Sequence, residues 1–179
     1  INSTLGNADD DLAAFDGVIA KVTTHVVSAG GVRLTKSVLK QMVQTLPSQY
    51  LRAQKNLAFI TSKNAAIDYA DSLANRIGVM ADNTLTGSLI ATPAEYAGYP
   101  VIPIPLWPEN LGGGTDQTVV ILGDPKNINV GIQRQVRVET DRDISAREII
   151  IVATVRFGVD WAHEPASVKA TGITASAGA

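Results

Sequence analysis

Tyr99-Pro-Val-Ile-Pro-Ile-Pro-Leu-Trp-Pro108 is the stretch on which the fold of this chain turns. In an extended strand, successive N–H groups point to opposite edges, so residues two apart donate to the same side. Pro103 and Pro105 therefore delete two donors from one edge, while Ile102 and Ile104 still donate from the other. A segment of this kind pairs on one side only, which predicts a strand at a sheet edge. The same prolines discourage uncontrolled edge-to-edge pairing at high local concentration.

Downstream, a glycine break at Gly112-Gly113-Gly114 leads into Thr118-Val-Val-Ile-Leu-Gly-Asp124. A strand-like Val130–Glu139 follows, then a charged turn, Asp141-Arg142-Asp143, and a long β-branched strand, Glu148–Phe157. Upstream, Thr35 is placed to cap a helix whose Val38, Leu39, Met42, Val43 and Leu46 recur at three and four residues, with Pro47 beyond its end. Asn56-Leu-Ala-Phe-Ile-Thr61 is rich in β formers, and Ser62 follows as an N-cap. Ala65, Ala66, Tyr69, Ala70, Leu73 and Ile77 then make a second helical stripe that stops at Gly78. A strand feeding directly into a helix predicts a mixed α/β layer. The Thr35–Leu46 and Ser62–Ile77 helices should flank a sheet containing Leu57–Thr61 and Val101–Ile104. Asn2–Asp11 reads as a loop, Phe15–Ile19 as a turn into a short extended segment, and Ser28–Gly31 as a break. Thr171–Ala179 reads as a small, polar, mobile tail.

The length of 179 residues suits one core with a small second lobe. Hydrophobic residues make up 45% and charged ones 18%, less charged surface than most soluble monomers carry. Either partners cover some apolar surface, or the alanine-rich domain is simply compact. The net charge of −2 offers no basic footprint for sequence-specific nucleic-acid binding. Without cysteine there are neither disulfides nor thiolate metal sites. No apolar run is long enough to span a bilayer and no signal-like segment opens the chain, which predicts a soluble protein.

Candidate chemistry is sparse. Asp9-Asp10-Asp11 suggests a hard cation site, but three adjacent carboxylates cannot all face one ion, and the reading is a solvated acidic turn. His25 and His163 are the only histidines and lack metal-ligand spacing. Gly112-Gly113-Gly114-Thr115 lacks the lysine and following helix that a phosphate loop needs, and reads as a flexible loop. A small hydrolase using Asp9 or Asp16 with His25 lacks a convergent nucleophile, base and orienting group. No catalysis, cofactor or metal is expected.

From Gly98-Tyr99-Pro100 through Leu122-Gly123-Asp124 to the closing strand ending in Arg156-Phe157-Gly158, the chain resembles the last part of a tailed-bacteriophage major capsid protein of the Hong Kong 97-type fold. The likeness covers nearly all of the chain. It implies an α+β fold comprising an axial domain and part of a peripheral domain, in a structural subunit that packs laterally into hexamers and pentamers around double-stranded DNA. Because such proteins are much longer and this chain opens at Ile1, the resemblance implies a C-terminal fragment. N-arm, extended loop and spine helix would precede it. Residues 1–34 would be loop and peripheral strand, 35–140 the axial domain, and 141–179 return strands and tail. The Gly112–Gly114 loop would lie near the capsomer axis. Trp107, Gly112, Gly113, Gly114, Arg134, Arg137, Glu139 and Arg142 are the resulting subunit-interface candidates. For Gln133–Glu139, which alternates Val136 and Val138 with Arg137 and Glu139 as a half-buried strand would, the resemblance suggests salt bridges between subunits. Ordinary solvated charge explains these residues and the nearby Arg147 equally well.

Partners implied by the resemblance are further copies of the parent protein, a scaffold or maturation protease, and packaged DNA held without sequence-specific contact. The location implied is the virion, after assembly in the host cytoplasm. Laid over Asp143–Pro165, the family's closing strand puts Glu148 where a cross-linking Asn would stand and Val155 where its promoting Glu would stand. Covalent cross-linking is therefore not expected. An encapsulin-type shell, which shares the fold but encloses enzymes, is the alternative reading.

Overall fold

A computed structural model describes residues 16–51, 56–74, 94–111 and 116–175. Its elements in chain order are α1 (Val18–Lys21), β1 (Val26–Val32), α2 (Lys36–Thr45), β2 (Ala58–Ser62), α3 (Lys63–Ala74), β3 (Glu95–Tyr96), β4 (Tyr99–Ile104), β5 (Gln117–Gly123), β6 (Ile128–Asp143), β7 (Glu148–Trp161) and β8 (Val168–Thr174). Six strands form one mixed sheet in the order β1-β8-β5-β2-β4-β3, and β6 and β7 form a separate two-stranded ribbon. β1 runs parallel to β8 and β2 parallel to β4, while β5 is antiparallel to both of its neighbours.

Central β5 is buried on both faces, which is why its sequence is a continuous apolar run rather than an alternating one. Val120 and Leu122 project into one core, with Phe59, Val101 and Ile173 from other strands, Val38, Leu39 and Met42 from α2, and Ala65 and Tyr69 from α3. Val119 and Ile121 project into a second core with Ile60, Ile19, Val22, Trp107 and Trp161. Helices cover one face of the sheet; α1 and the root of the ribbon cover the other. Each large side chain fully buried here contributes about 1.5–3 kcal/mol relative to exposure.

The strand-to-helix step stands as read: the Ser62 side chain accepts a hydrogen bond from the Ala65 N–H at 3.2 Å. Thr35 occupies the N-cap of α2 but makes no side-chain capping bond. β4 behaves as its prolines require. Val101 donates outward to the Ala94 carbonyl at 2.7 Å, so Pro103 faces the same outer side, past the end of two-residue β3, while Pro105 lies in the turn just beyond β4.

Several expectations are corrected. Phe15–Ile19 does not lead into an extended segment: Val18–Lys21 is a single helical turn, closed by Lys21 donating to the Gly17 carbonyl at 3.2 Å. The turn brings Ile19 and Val22, three apart, into one cluster. Ser28–Gly31 is no break but lies inside β1, where Gly30 and Gly31 at φ 67° and 79° make a register irregularity. Asp141–Asp143 is strand, and the turn falls at residues 144–147, where the Asp143 carboxylate accepts from the Ser145 and Ala146 N–H groups. Thr171–Thr174 belongs to β8, an interior strand, and Ala175 is buried, so the tail reading fails there. Its polar positions lie on an interleaved pattern, Val168, Ala170 and Ile173 inward, that small residues disguise. Asn2–Asp11, Phe15, Ile77 and residues 176–179 lie outside the described residues.

β1 and β8 share the sheet with strands of the 35–140 segment, and the boundary at 140 falls within β6.

Candidate functional site

The ribbon stands clear of the sheet. Among its described residues between Ile128 and Trp161, no side chain is buried. This corrects the half-buried reading of Gln133–Glu139: Val136 and Val138 are 66% and 59% exposed, with none of the described residues lying over them. β7 sets the two faces by its period of two. Ile149, Ile151, Ala153, Val155, Phe157, Val159 and Trp161 share one face, and Glu148, Ile150, Val152, Thr154, Arg156, Gly158 and Asp160 share the other. Cross-strand register adds Ile128, Val130, Ile132 and Val138 to the first face, and Arg137, Glu139, Asp141 and Asp143 to the second.

One face is therefore almost wholly apolar, and it is continuous with the interior. At the root Trp161 is buried, with its indole N–H donating to the Val18 carbonyl at 3.0 Å. Just outward, Val130, Phe157 and Val159 join Ile60, Ile104 and Trp107 in lining an apolar cavity of about 350 Å³. Beyond the cavity the same face emerges uncovered along Val138, Ile149 and Ile151. Large exposed apolar patches of this kind mark interaction sites.

β6 is longer than β7 because it carries two register irregularities, between Ile132 and Arg134 and between Arg134 and Arg137. Such bulges increase local twist. At its root, the ribbon is also tied to the body by polar contacts. Lys21 Nζ lies 3.2 Å from the Asp160 carboxylate, whose pKa is held low by that lysine and by the Trp161 N–H. Asn127 Nδ2 donates to the His163 carbonyl and its Oδ1 accepts from the His163 N–H, both at 2.8 Å.

The predicted interface residues fall in different settings. Trp107 is 6% exposed and its indole N–H donates to the Val119 carbonyl at 2.8 Å, so it is a core residue of this chain, not a surface one. A proline-flanked tryptophan looks superficial in sequence; only the strand opposite shows where its N–H is satisfied. Arg134, Arg137, Glu139 and Arg142 all lie on β6. Arg137 Nε sits 2.8 Å from Glu139 Oε1 within the strand, an exposed local pair of the kind worth under about 1 kcal/mol. Arg142 shares the apolar face, opposite Ile149. Gly112–Gly114 and Asp9–Asp11 lie outside the described residues. His163 Nε2 is 2.8 Å from the Tyr50 hydroxyl. Among the described residues, no three His, Asp or Glu side chains gather as metal ligands, and no helix is long and apolar enough to cross a membrane. What sequence reasoning missed is the apolar face itself. Its signal was present, seven apolar residues at every second position from Ile149 to Trp161.

No protein-family model matches the chain. A protein of Bacillus subtilis (strain 168) named as a prophage capsid protein, YqbE, is 32% identical over 173 residues, which is 94% of this chain and 54% of that protein. The chain thus spans about half the length of this relative. Among solved structures, the holo-SrpI encapsulin complex from Synechococcus elongatus PCC 7942 superposes with a TM-score of 0.53 at 15% identity, over 90% of this chain and 58% of that one. The satellite phage P4 procapsid with its size determination (Sid) protein superposes with a TM-score of 0.50 at 8% identity, over 97% of this chain and 56% of that one. At these structural identities the likeness carries the fold alone.

Proposed function

We propose that this chain, which has the mixed α+β Hong Kong 97-type capsid fold and a prophage capsid protein among its relatives, is the shell-forming portion of a phage or prophage major capsid protein. Its role is structural. Copies of the parent protein pack side by side into hexamers and pentamers, and many weak contacts add up through closed symmetry. The observation that carries this reading is the apolar ribbon face that leaves the core uncovered. A monomer exposing Val130, Ile132, Val136, Val138, Ile149 and Ile151 at 59–71% gains by covering them. In this reading, residues 35–140 supply the axial domain and the Gly112–Gly114 loop its contact near the symmetry axis. Residues 1–34 and 141–179 are assigned to the peripheral domain and its return strands. Arg134, Arg137, Glu139 and Arg142 would meet neighbouring subunits. Scaffold, maturation protease and packaged double-stranded DNA are the further partners this reading implies, with assembly in the host cytoplasm and residence in the virion.

An encapsulin-type shell is the second reading, favoured by the likeness to the SrpI encapsulin complex. Expression of the full-length parent protein tests both. Closed shells in negative stain are expected, with nuclease-protected DNA after phage induction. A co-purifying enzyme in place of DNA would move the assignment to an encapsulin. A full-length protein that stays monomeric at all concentrations would overturn the shell reading.

A further inference from the structure

Among the described residues, strand edges are guarded, with one exception. The outer edge of β1 is broken by Gly30 and Gly31 at positive φ and by a shift in register. β3 has two residues, and β4 beyond it is blocked by Pro103 and ends before Pro105. β6 carries two register irregularities and the charged run Arg137, Glu139, Asp141, Arg142 and Asp143. Prolines, bulges, charges and short strands are the usual means by which edges are closed to other chains. β7 has none of them across Ile149-Ile-Ile-Val-Ala-Thr-Val155, an uncharged, proline-free, β-branched run lacking any register shift on its own strand.

We propose that the outer edge of β7 pairs with β7 of a second copy of this chain, antiparallel about a twofold axis at Val152, so that two ribbons join into one four-stranded sheet. The charges on the strand select this register. A twofold axis normal to the sheet keeps each residue on its own face, so opposed residues differ by an even number of positions. Centring the axis at Val152 sets Glu148 opposite Arg156 of the second copy, twice by symmetry. Sliding by one step either way sets Glu148 against Thr154 or Gly158 and loses both charge pairs. Glu148 and Arg156 are the charged residues that bound the uncharged run, and both are exposed. In the Val152 register, Ile149 meets Val155 and Ile151 meets Ala153, which makes the apolar faces of the two ribbons continuous. The paired segment is nine residues, about 30 Å long, smaller than a standard interface, so association is weak and concentration-dependent. The inference rests on strand edges and charge positions and is independent of the shell reading.

Sedimentation equilibrium of this chain from about 5 to about 500 µM tests the pairing. A reversible monomer–dimer equilibrium is expected. Amide protection at Ile149–Val155 should rise with concentration. Glu148→Arg or Arg156→Glu alone sets like charges opposite one another at two sites and should weaken dimerisation about tenfold. The double variant E148R/R156E should restore it. Circular dichroism confirms that these surface variants stay folded. A chain that is monomeric throughout overturns the proposal. So does a dimer indifferent to the single reversals, or one that the double variant fails to restore. A dimer broken by Ile151→Asp yet indifferent to charge reversal assigns the contact to stacking of apolar faces and overturns it equally.

Discussion

Glu164 joins segments far apart in sequence. Its Oε1 accepts the backbone N–H groups of Thr23 and Thr24 at 2.8 Å each, and its Oε2 accepts the Thr24 hydroxyl. Burial pushes the carboxyl up, but these hydrogen bonds and the neighbouring His25 outweigh burial and hold it below its ordinary 4.5. Lys169 lies on the same side; burial pushes its ammonium down, Glu164 pulls it back up, and its Nζ donates to the Ile19 carbonyl at 3.0 Å. With the folded pKa depressed, the stability Glu164 contributes is complete above the unfolded value near 4.5 and is lost as pH falls through the folded value. The urea midpoint should therefore drop between about pH 5 and pH 3, and Glu164→Gln should be less stable at pH 7 and flatter over that range. Parallel pH curves for the two proteins would remove Glu164 from this role. None of this was legible in sequence, since the partners stand 140 positions apart. Trp107 misled for the same reason, its hydrogen-bond partner being on another strand.

Elements were easier to read where the signal is local. The prolines of β4, the Ser62 cap and the apolar stripe of α2 each act within a few residues, and each has its expected place in the fold. β1 misled because two glycines signal a turn and a bulge alike. β6 misled because alternation says only that two faces differ; whether the apolar face is covered depends on what packs there. That difference has an energetic consequence. Phe59 is fully buried with Tyr96 and Tyr99 rings at its edge, 6.4 and 6.2 Å between centroids. Phe59→Ala should destabilise the chain by about 3–5 kcal/mol. Ile151→Thr, at a site 66% exposed, should change stability by less than about 0.5 kcal/mol in dilute solution. Chemical denaturation measures both, and a cost above 2 kcal/mol for Ile151→Thr would mean that the ribbon face is covered within the monomer.

At the scale of the whole molecule, the two cores lie back to back on one sheet and share β5, with Val120 and Leu122 in one and Val119 and Ile121 in the other. Opening either face strips a strand from both, so the body should unfold as a unit. The outer ribbon belongs to neither core, and a two-stranded ribbon is marginally stable in water without a third strand or a cover. The chain therefore contains two levels of stability. In dilute solution, amides of Val119–Leu122 should exchange with solvent only through global unfolding, while those of Val138–Asp143 and Ile149–Val155 exchange through local opening, orders of magnitude faster. If the proposed shell forms, the ribbon amides in assembled particles should slow towards the rate of the body, because assembly would then cover their apolar face. Hydrogen exchange followed by mass spectrometry reads both states. Ribbon amides protected as strongly as β5 in the dilute chain would show that the ribbon needs no partner, and the case for assembly built on its uncovered face would fail.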